Sequence, residues 1–228
     1  MNKITIGVIL AGCGVYDGSE IHETTLTLLA LDQLNVTVKP LSISKQQRHT
    51  VDHTSQTEQA SSDRNCLIES GRIARGCVDD IASININDFD AFIFPGGFGV
   101  AKNLSSFATE GANCWVDPTI EHLIKQAHQL KKPLGFMCIA PVLAAKVIPN
   151  VKLTIGSDSS TAQALEAMGA THINATINDI IFDETNLVVS TPAYMLANRL
   201  SQLPTGINAL VNKLYTLAKQ YQQTAQLT

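Results

Sequence analysis

Short apolar, β-branched runs alternate along this chain with longer segments whose apolar residues recur at helical spacing, and that alternation constrains the fold more than any other feature. It builds a mostly parallel sheet with helices on both faces, because parallel neighbours need a crossover long enough to hold a helix. The first strand spans residues 4–10. Gly12, Gly14 and Gly18 follow, then a helix over about 20–34 with Ile21, Thr25, Leu28 and Leu29 roughly on one face. Residues 35–41 read as the second strand and 91–94 as the third, the latter ended by Pro95-Gly96-Gly97. Asp117 then Pro118 opens a helix to about residue 130, since the aspartate accepts a free N–H and the proline lacks one. A strand at 134–137 runs into a helix at 140–147. Strands at 152–155, 180–182 and 187–190, a helix over about 161–168 closed by Gly169, and a terminal helix over about 205–222 complete a single domain spanning 1–228. Between them, residues 42–65 turn polar. A structureless loop of that length is unusual, so a short hairpin or a lid is expected there, followed by a short helix at 67–75.

A formal net charge of -4 lacks the basic excess that binding a phosphate backbone needs, so nucleic acid is not an expected partner. No apolar run approaches the roughly 18 residues of a membrane-spanning helix, and the opening apolar run is too short for a signal-peptide core. A cytoplasmic protein is expected. The five cysteines, Cys13, Cys66, Cys77, Cys114 and Cys138, are odd in number and show no Cys-x-x-Cys pair, which argues against a disulfide framework or a zinc ribbon. Neither a metal nor any other cofactor is expected.

The chemistry concentrates at Gly135-Phe136-Met137-Cys138-Ile139-Ala140-Pro141, where a strand breaks directly into a helix. Such a junction presents the sulfur of Cys138 at the carboxyl edge of the sheet, where ligands of open α/β folds bind. The free N–H groups of a helix start favour thiolate over thiol. The competing reading of Cys138 is a small buried hydrophobe, the usual fate of a free cysteine. Gly96 and Gly97 let the backbone approach a ligand, and the N–H of Gly97 with that of Ile139 would form an oxyanion hole. In Cys13-Gly14-Val15-Tyr16-Asp17-Gly18-Ser19-Glu20-Ile21-His22-Glu23 an acidic stretch opens the first helix. Its acids serve as dipole partners unless Glu20 or Glu23 points across to Cys138 as a general acid/base, and either acid fits. Cys13 follows the first strand at the same edge and is a candidate second thiol. Cys66, Cys77 and Cys114 read as structural.

These segments, together with Pro95-Gly96-Gly97-Phe98-Gly99, Ala101-Lys102-Asn103-Leu104 and Thr191-Pro192-Ala193-Tyr194-Met195, resemble the superfamily of class I glutamine amidotransferases, PfpI-type proteins and the Parkinsonism-associated glyoxalase/deglycase proteins. Within it the chain is similar to the ElbB family. The resemblance implies a flavodoxin-like three-layer α/β sandwich, an elbow cysteine at Cys138, and N–H donors at Gly97 and Ile139. It places the cysteine's glutamate partner at Glu23, with Glu20 one turn earlier; combined with the chemistry read from the residues themselves, the expected oxyanion and substrate-binding set is Gly97, Ile139, Gly96, Cys13 and Asn103. It implies a homodimer and a modest, cofactor-independent glyoxalase (lyase) activity on a small 2-oxoaldehyde, and older family names carry a link to isoprenoid biosynthesis. The departures exclude sister activities. Amidotransferases need a late His-x-Glu, whereas this chain has His172-Ile173-Asn174, and PfpI-type peptidases place His directly after the elbow cysteine, where Ile139 stands.

Two classes of function follow. In the first, Cys138 adds to glyoxal or methylglyoxal as a hemithioacetal that is isomerised and hydrolysed to glycolate or lactate without glutathione. In the second, Cys138 is a redox sensor, or the chain is a non-catalytic accessory protein linked to isoprenoid biosynthesis.

Overall fold

The computed structural model describes residues 3–59 and 63–225; the sequence expectations touching 1–2, 60–62 and 226–228 lie outside the described residues. In chain order the structure runs β1 (Thr5–Ile9), α1 (Ile21–Gln33), β2 (Thr37–Ser42), β3 (Thr50–Asp52), β4 (Thr57–Gln59), α2 (Cys66–Ile73), β5 (Asp79–Asp80) and β6 (Ala91–Phe94). It continues with α3 (Phe98–Lys102), α4 (Phe107–Glu110), α5 (Pro118–Gln129), β7 (Leu134–Met137), α6 (Pro141–Val147), β8 (Lys152–Leu153) and α7 (Ser159–Ala167). The last elements are β9 (Thr171–His172), β10 (Ile181–Asp183), β11 (Val188–Thr191) and α8 (Leu203–Ala225).

Seven strands form one sheet in the order β10-β11-β7-β6-β1-β2-β5. All neighbours are parallel except the edge pair β10 and β11. From β1 the chain winds outward through β2 to β5, then returns to the other side of β1 for β6 and moves outward through β7 to β11. The reversal puts a crevice at the carboxyl ends of β1 and β6, the general location of ligand sites in open α/β sheets.

Side chains of β6 alternate between the two layers. Ala91 and Ile93 join Ile6, Val8 and Val189 under α1 and α8, while Phe92 and Phe94 join Leu134 and Phe136 under α5 and α6. Both faces are therefore covered, which explains why these strands read as continuous apolar runs. The flavodoxin-like sandwich is the architecture expected from the sequence.

Differences from the sequence reading concern short elements. The polar stretch holds the hairpin of β3 and β4, and it is tied inward: Gln47, Thr50 and Val51 are buried, and the Val51 N–H donates to Asp17 Oδ2 at 2.8 Å. The strand expected at 152–155 shortens to β8 and pairs with β9 in a separate two-stranded sheet. α3 and α4 are only 5 and 4 residues long, below the length at which apolar periodicity is visible.

Candidate active site

α1 begins at an unusual cap. Glu20 is extended (φ -66°, ψ 121°) and its Oε2 accepts the N–H of Glu23 at 2.7 Å, the role that a shorter Asp or Ser normally takes. This fixes the first turn so that Glu23 points inward and is fully buried. Its carboxyl group is held from two other loops: the Gly96 N–H donates to Oε2 at 2.9 Å and the Tyr194 N–H to Oε1 at 3.1 Å. A further hydrogen bond joins it to the thiol of Cys138.

Cys138 follows β7 directly. Its N–H still belongs to the sheet, donating to the Thr191 carbonyl of β11 at 3.1 Å, but its φ of +58° reverses the chain toward α6. A non-glycine residue in the left-handed region costs roughly 1–2 kcal/mol. The turn aims the sulfur at the N–H groups of Gly97 and Ile139, which both hydrogen-bond to it. Gly96 completes the fit, since a Cβ there would lie 2.4 Å from Cys138 Cβ and 2.7 Å from Glu23 Oε2. Gly97, at φ +102°, has equally little room, with the Gly18 carbonyl 2.4 Å from where its Cβ would stand.

Burial, and then the neighbouring Glu20 carboxylate, push the Glu23 carboxyl up to about 7. Burial and the charge of Glu23 raise the Cys138 thiol well above its ordinary value, against the downward pull of the Gly97 and Ile139 N–H groups. The sequence expectation of a helix-stabilised thiolate is thus corrected: α6 starts only at Pro141, and burial of the sulfur together with the Glu23 charge outweighs the two N–H groups. Cys138 and Glu23 form a coupled pair sharing protons. With Glu23 ionised the sulfur keeps its proton; with Glu23 protonated the carboxyl O–H donates to the sulfur and favours thiolate.

The pair makes stability depend on pH. Unfolded, Glu23 loses its proton near 4.5; folded, it holds it to about 7. Between those values the folded state binds more protons, so raising the pH through this window lowers stability, by an amount on the order of 3 kcal/mol for this group. Urea titrations at steps from pH 5 to 7.5 should show wild-type stability falling more steeply than that of Glu23→Gln. Parallel pH dependences would remove the raised carboxyl from the folded protein.

A cavity of about 400 Å³ opens in front of the sulfur, walled by Val15, Phe98, Phe107, Ile139 and Met195, with Glu20 and Tyr194 supplying polar groups. The Tyr194 hydroxyl lies 2.8 Å from His22 Nδ1. Glu20 is nearly buried, and burial raises its carboxyl.

Of the residues singled out in the sequence, Cys138, Glu23, Gly96, Gly97 and Ile139 come together, and Glu20 lies beside them as the helix cap and in the cavity wall. Cys13 and Asn103 do not line the cavity. Burial raises the Cys13 thiol, and the charges it feels are those of Glu69 and Arg72 on α2, of Asp17 and of Arg64. Asn103 is buried with its amide committed: Nδ2 donates to the carbonyls of Ala11 and Asp17 at 3.0 and 2.9 Å, and Oδ1 accepts the Arg48 N–H at 2.9 Å. It fastens the loop after β1 instead of facing a substrate. His49 pairs with Glu58 at 3.0 Å and His53 takes the Tyr16 N–H at 3.3 Å. The sequence reading assigned no role to Tyr194, although Thr191-Pro192, a strand end followed by proline, marked the turn that presents its N–H to Glu23.

No protein-family model matches the chain. Among curated proteins, the human "Glutamine amidotransferase-like class 1 domain-containing protein 3, mitochondrial" is 42% identical, covering 93% of this chain and 82% of its own. The rat "ES1 protein homolog, mitochondrial" is also 42% identical, over 94% of this chain and 84% of its own. Among solved structures, an isoprenoid biosynthesis protein with an amidotransferase-like domain from Ehrlichia chaffeensis superposes with a TM-score of 0.87 at 36% identity, over 93% of this chain and 99% of that one. Glyoxalase III from Candida albicans shares the fold, with a TM-score of 0.63 at 11% identity over 94% and 97% of the two chains. The cytoplasmic expectation is overturned by the curated relatives, which are named as mitochondrial proteins. Among the described residues no helix is long and apolar enough to cross a membrane, which does not separate the cytoplasm from another compartment.

Proposed function

The chain belongs to the ES1 family of glutamine amidotransferase-like class 1 proteins, and from that premise we propose that it is a cofactor-free, glutathione-independent glyoxalase acting on small 2-oxoaldehydes through Cys138. The observation that carries this reading is the Cys138 thiol set beside a buried Glu23 whose carboxyl is pushed up to about 7. A carboxyl poised there both accepts and returns a proton at working pH.

The sulfur adds to the aldehyde carbon while its proton passes through Glu23 to the aldehyde oxygen, giving a hemithioacetal. The N–H groups of Gly97 and Ile139 donate to the oxygen as its charge develops. Glu23 then removes the hydrogen on the sulfur-bearing carbon and returns it to the adjacent carbonyl carbon by way of an enediol, leaving a thioester of the 2-hydroxy acid. Water cleaves the thioester, so glyoxal plus water leaves as glycolate, methylglyoxal plus water leaves as lactate, and the thiol is regenerated.

Amide hydrolysis is not supported. Among the described residues the groups acting on the Cys138 sulfur are Glu23, Gly97 and Ile139, with no histidine to activate it and protonate an amine. Redox sensing favours an exposed thiolate, whereas this sulfur is buried and its thiol form is stabilised.

The test is methylglyoxal in D2O without glutathione or metal, with products followed by NMR. Lactate carrying deuterium at C2 is expected, because the proton on Glu23 exchanges with solvent between turnovers. Absence of lactate sinks the glyoxalase reading. Lactate formed wholly without deuterium would indicate a hydride shift and remove the shuttle from Glu23.

A further inference from the structure

The cavity in front of Cys138 is far larger than glyoxal, whose four heavy atoms fill roughly the space of two waters at about 30 Å³ each. At about 400 Å³ it is the size of a site for a drug-like molecule. Its wall is apolar over most of its extent, formed by Val15, Phe98, Ala101, Phe107, Ile139 and Met195. Phe98 is 49% exposed, an aromatic ring left half uncovered on the short helix that follows the oxyanion glycines. Among the described residues no lysine, arginine or histidine lines the cavity, and the one lining carboxylate is Glu20. Lys102, which lies over the Phe98 ring, is occupied by Glu58 at 3.0 Å.

A carboxylate or phosphate on the substrate would therefore meet no cation in the lining and would face Glu20. His22 stands behind it, against Glu20 at 3.8 Å and the Tyr194 hydroxyl at 2.8 Å. An aryl or branched-alkyl group would instead displace water from apolar wall. We propose that the preferred substrates are neutral 2-oxoaldehydes bearing an apolar substituent, with the reactive head at Cys138 and the substituent against Phe98, Phe107 and Met195. This rests on the glyoxalase reading for its chemistry but on the cavity for its specificity. Neither glyoxal nor methylglyoxal has enough apolar surface to use the wall, so each is turned over as a truncated substrate.

The measurement is kcat/KM for methylglyoxal, 3-methyl-2-oxobutanal and phenylglyoxal, which share one reactive head. An increase of roughly tenfold or more from methyl to phenyl is expected from the area buried. In Phe98→Ala and Phe107→Ala the phenyl-to-methyl ratio should drop at least threefold, and a ratio taken on one preparation does not depend on the fraction folded. Equal or falling kcat/KM across the series would overturn the specificity while leaving the glyoxalase reading intact. If no 2-oxoaldehyde is turned over, the glyoxalase reading fails, and the cavity is tested by protection of the Cys138 thiol from iodoacetamide. Slower alkylation with 1-phenyl-1,2-ethanediol but not with ethylene glycol supports an apolar occupant, and no difference between the two diols refutes it.

Discussion

Cys138→Ala is expected to reduce turnover of glyoxal and methylglyoxal to background while leaving the protein folded, with a stability loss of at most about 1 kcal/mol. The other thiols cannot substitute in the proposed reaction. Cys13 feels the charges of α2, Cys66 is buried in the first turn of that helix, and neither lines the cavity. Accordingly Cys13→Ala should stay active, and Cys13→Ala/Cys138→Ala should match Cys138→Ala. Activity lost in Cys13→Ala but kept in Cys138→Ala would move the nucleophile to the loop after β1. Full activity in the double variant would mean that the chemistry is not thiol-based. The left-handed backbone adds a second readout. Cys138→Gly should be as inactive as Cys138→Ala yet more stable than it, because only glycine occupies φ +58° without steric cost. A gain of up to about 1 kcal/mol corresponds to about 2–4 °C in a chain of this size. Equal melting temperatures would argue that the turn is unstrained.

Glu23→Gln should lower kcat by roughly 10²–10⁴, the usual contribution of a positioned acid/base. Two effects add here. The amide cannot carry the proton, and its NH2 must face one of the N–H groups of Gly96 and Tyr194 that the carboxylate now satisfies. Thiol reactivity should move the opposite way, since removing the buried charge lets the Gly97 and Ile139 N–H groups lower the Cys138 thiol. Iodoacetamide at pH 7.5 should then alkylate Cys138 faster in Glu23→Gln than in the wild type, even as turnover collapses. A variant that keeps its turnover, or whose thiol becomes less reactive along with its activity, contradicts the proton-sharing pair.

Much of this arrangement was legible in the sequence because it depends on strong local signals. Residues 91–94 and 134–137 are continuous apolar runs bounded by Pro-Gly-Gly and by Cys138, and the strands occupy those residues in the structure. Asp117-Pro118 likewise marks the start of α5, with the aspartate accepting the Thr119 N–H at 3.0 Å. The choice between Glu20 and Glu23 lay beyond composition and spacing. It turns on which acid caps the helix and which looks inward, and only the resemblance to a known family favoured Glu23. The charge state of the sulfur was also illegible, because it is set by its burial and by a carboxylate over a hundred residues away in the chain. Asn103 misled for a related reason: a polar residue in a shared motif looks like a substrate ligand, whereas its hydrogen bonds are spent on Ala11, Asp17 and Arg48. β5 and β9, each 2 residues long, carry too little pattern to be read at all, and β8, equally short, reads two residues too long in the sequence.

The acid partner of Cys138 is completed by a late segment of the chain. The Tyr194 N–H holds Glu23, and the Thr191 carbonyl anchors the Cys138 N–H, so both supports lie more than fifty residues downstream of the sulfur. At synthesis rates of about 5–20 residues per second the chain carries Cys138 for several seconds before these supports exist. During that interval the cysteine is an ordinary thiol, unscreened by burial and open to oxidants. Its protected form arrives only when β11 docks beside β7, so the last strand of the parallel sheet also acts as the moment at which a nascent, unguarded sulfur becomes a housed one.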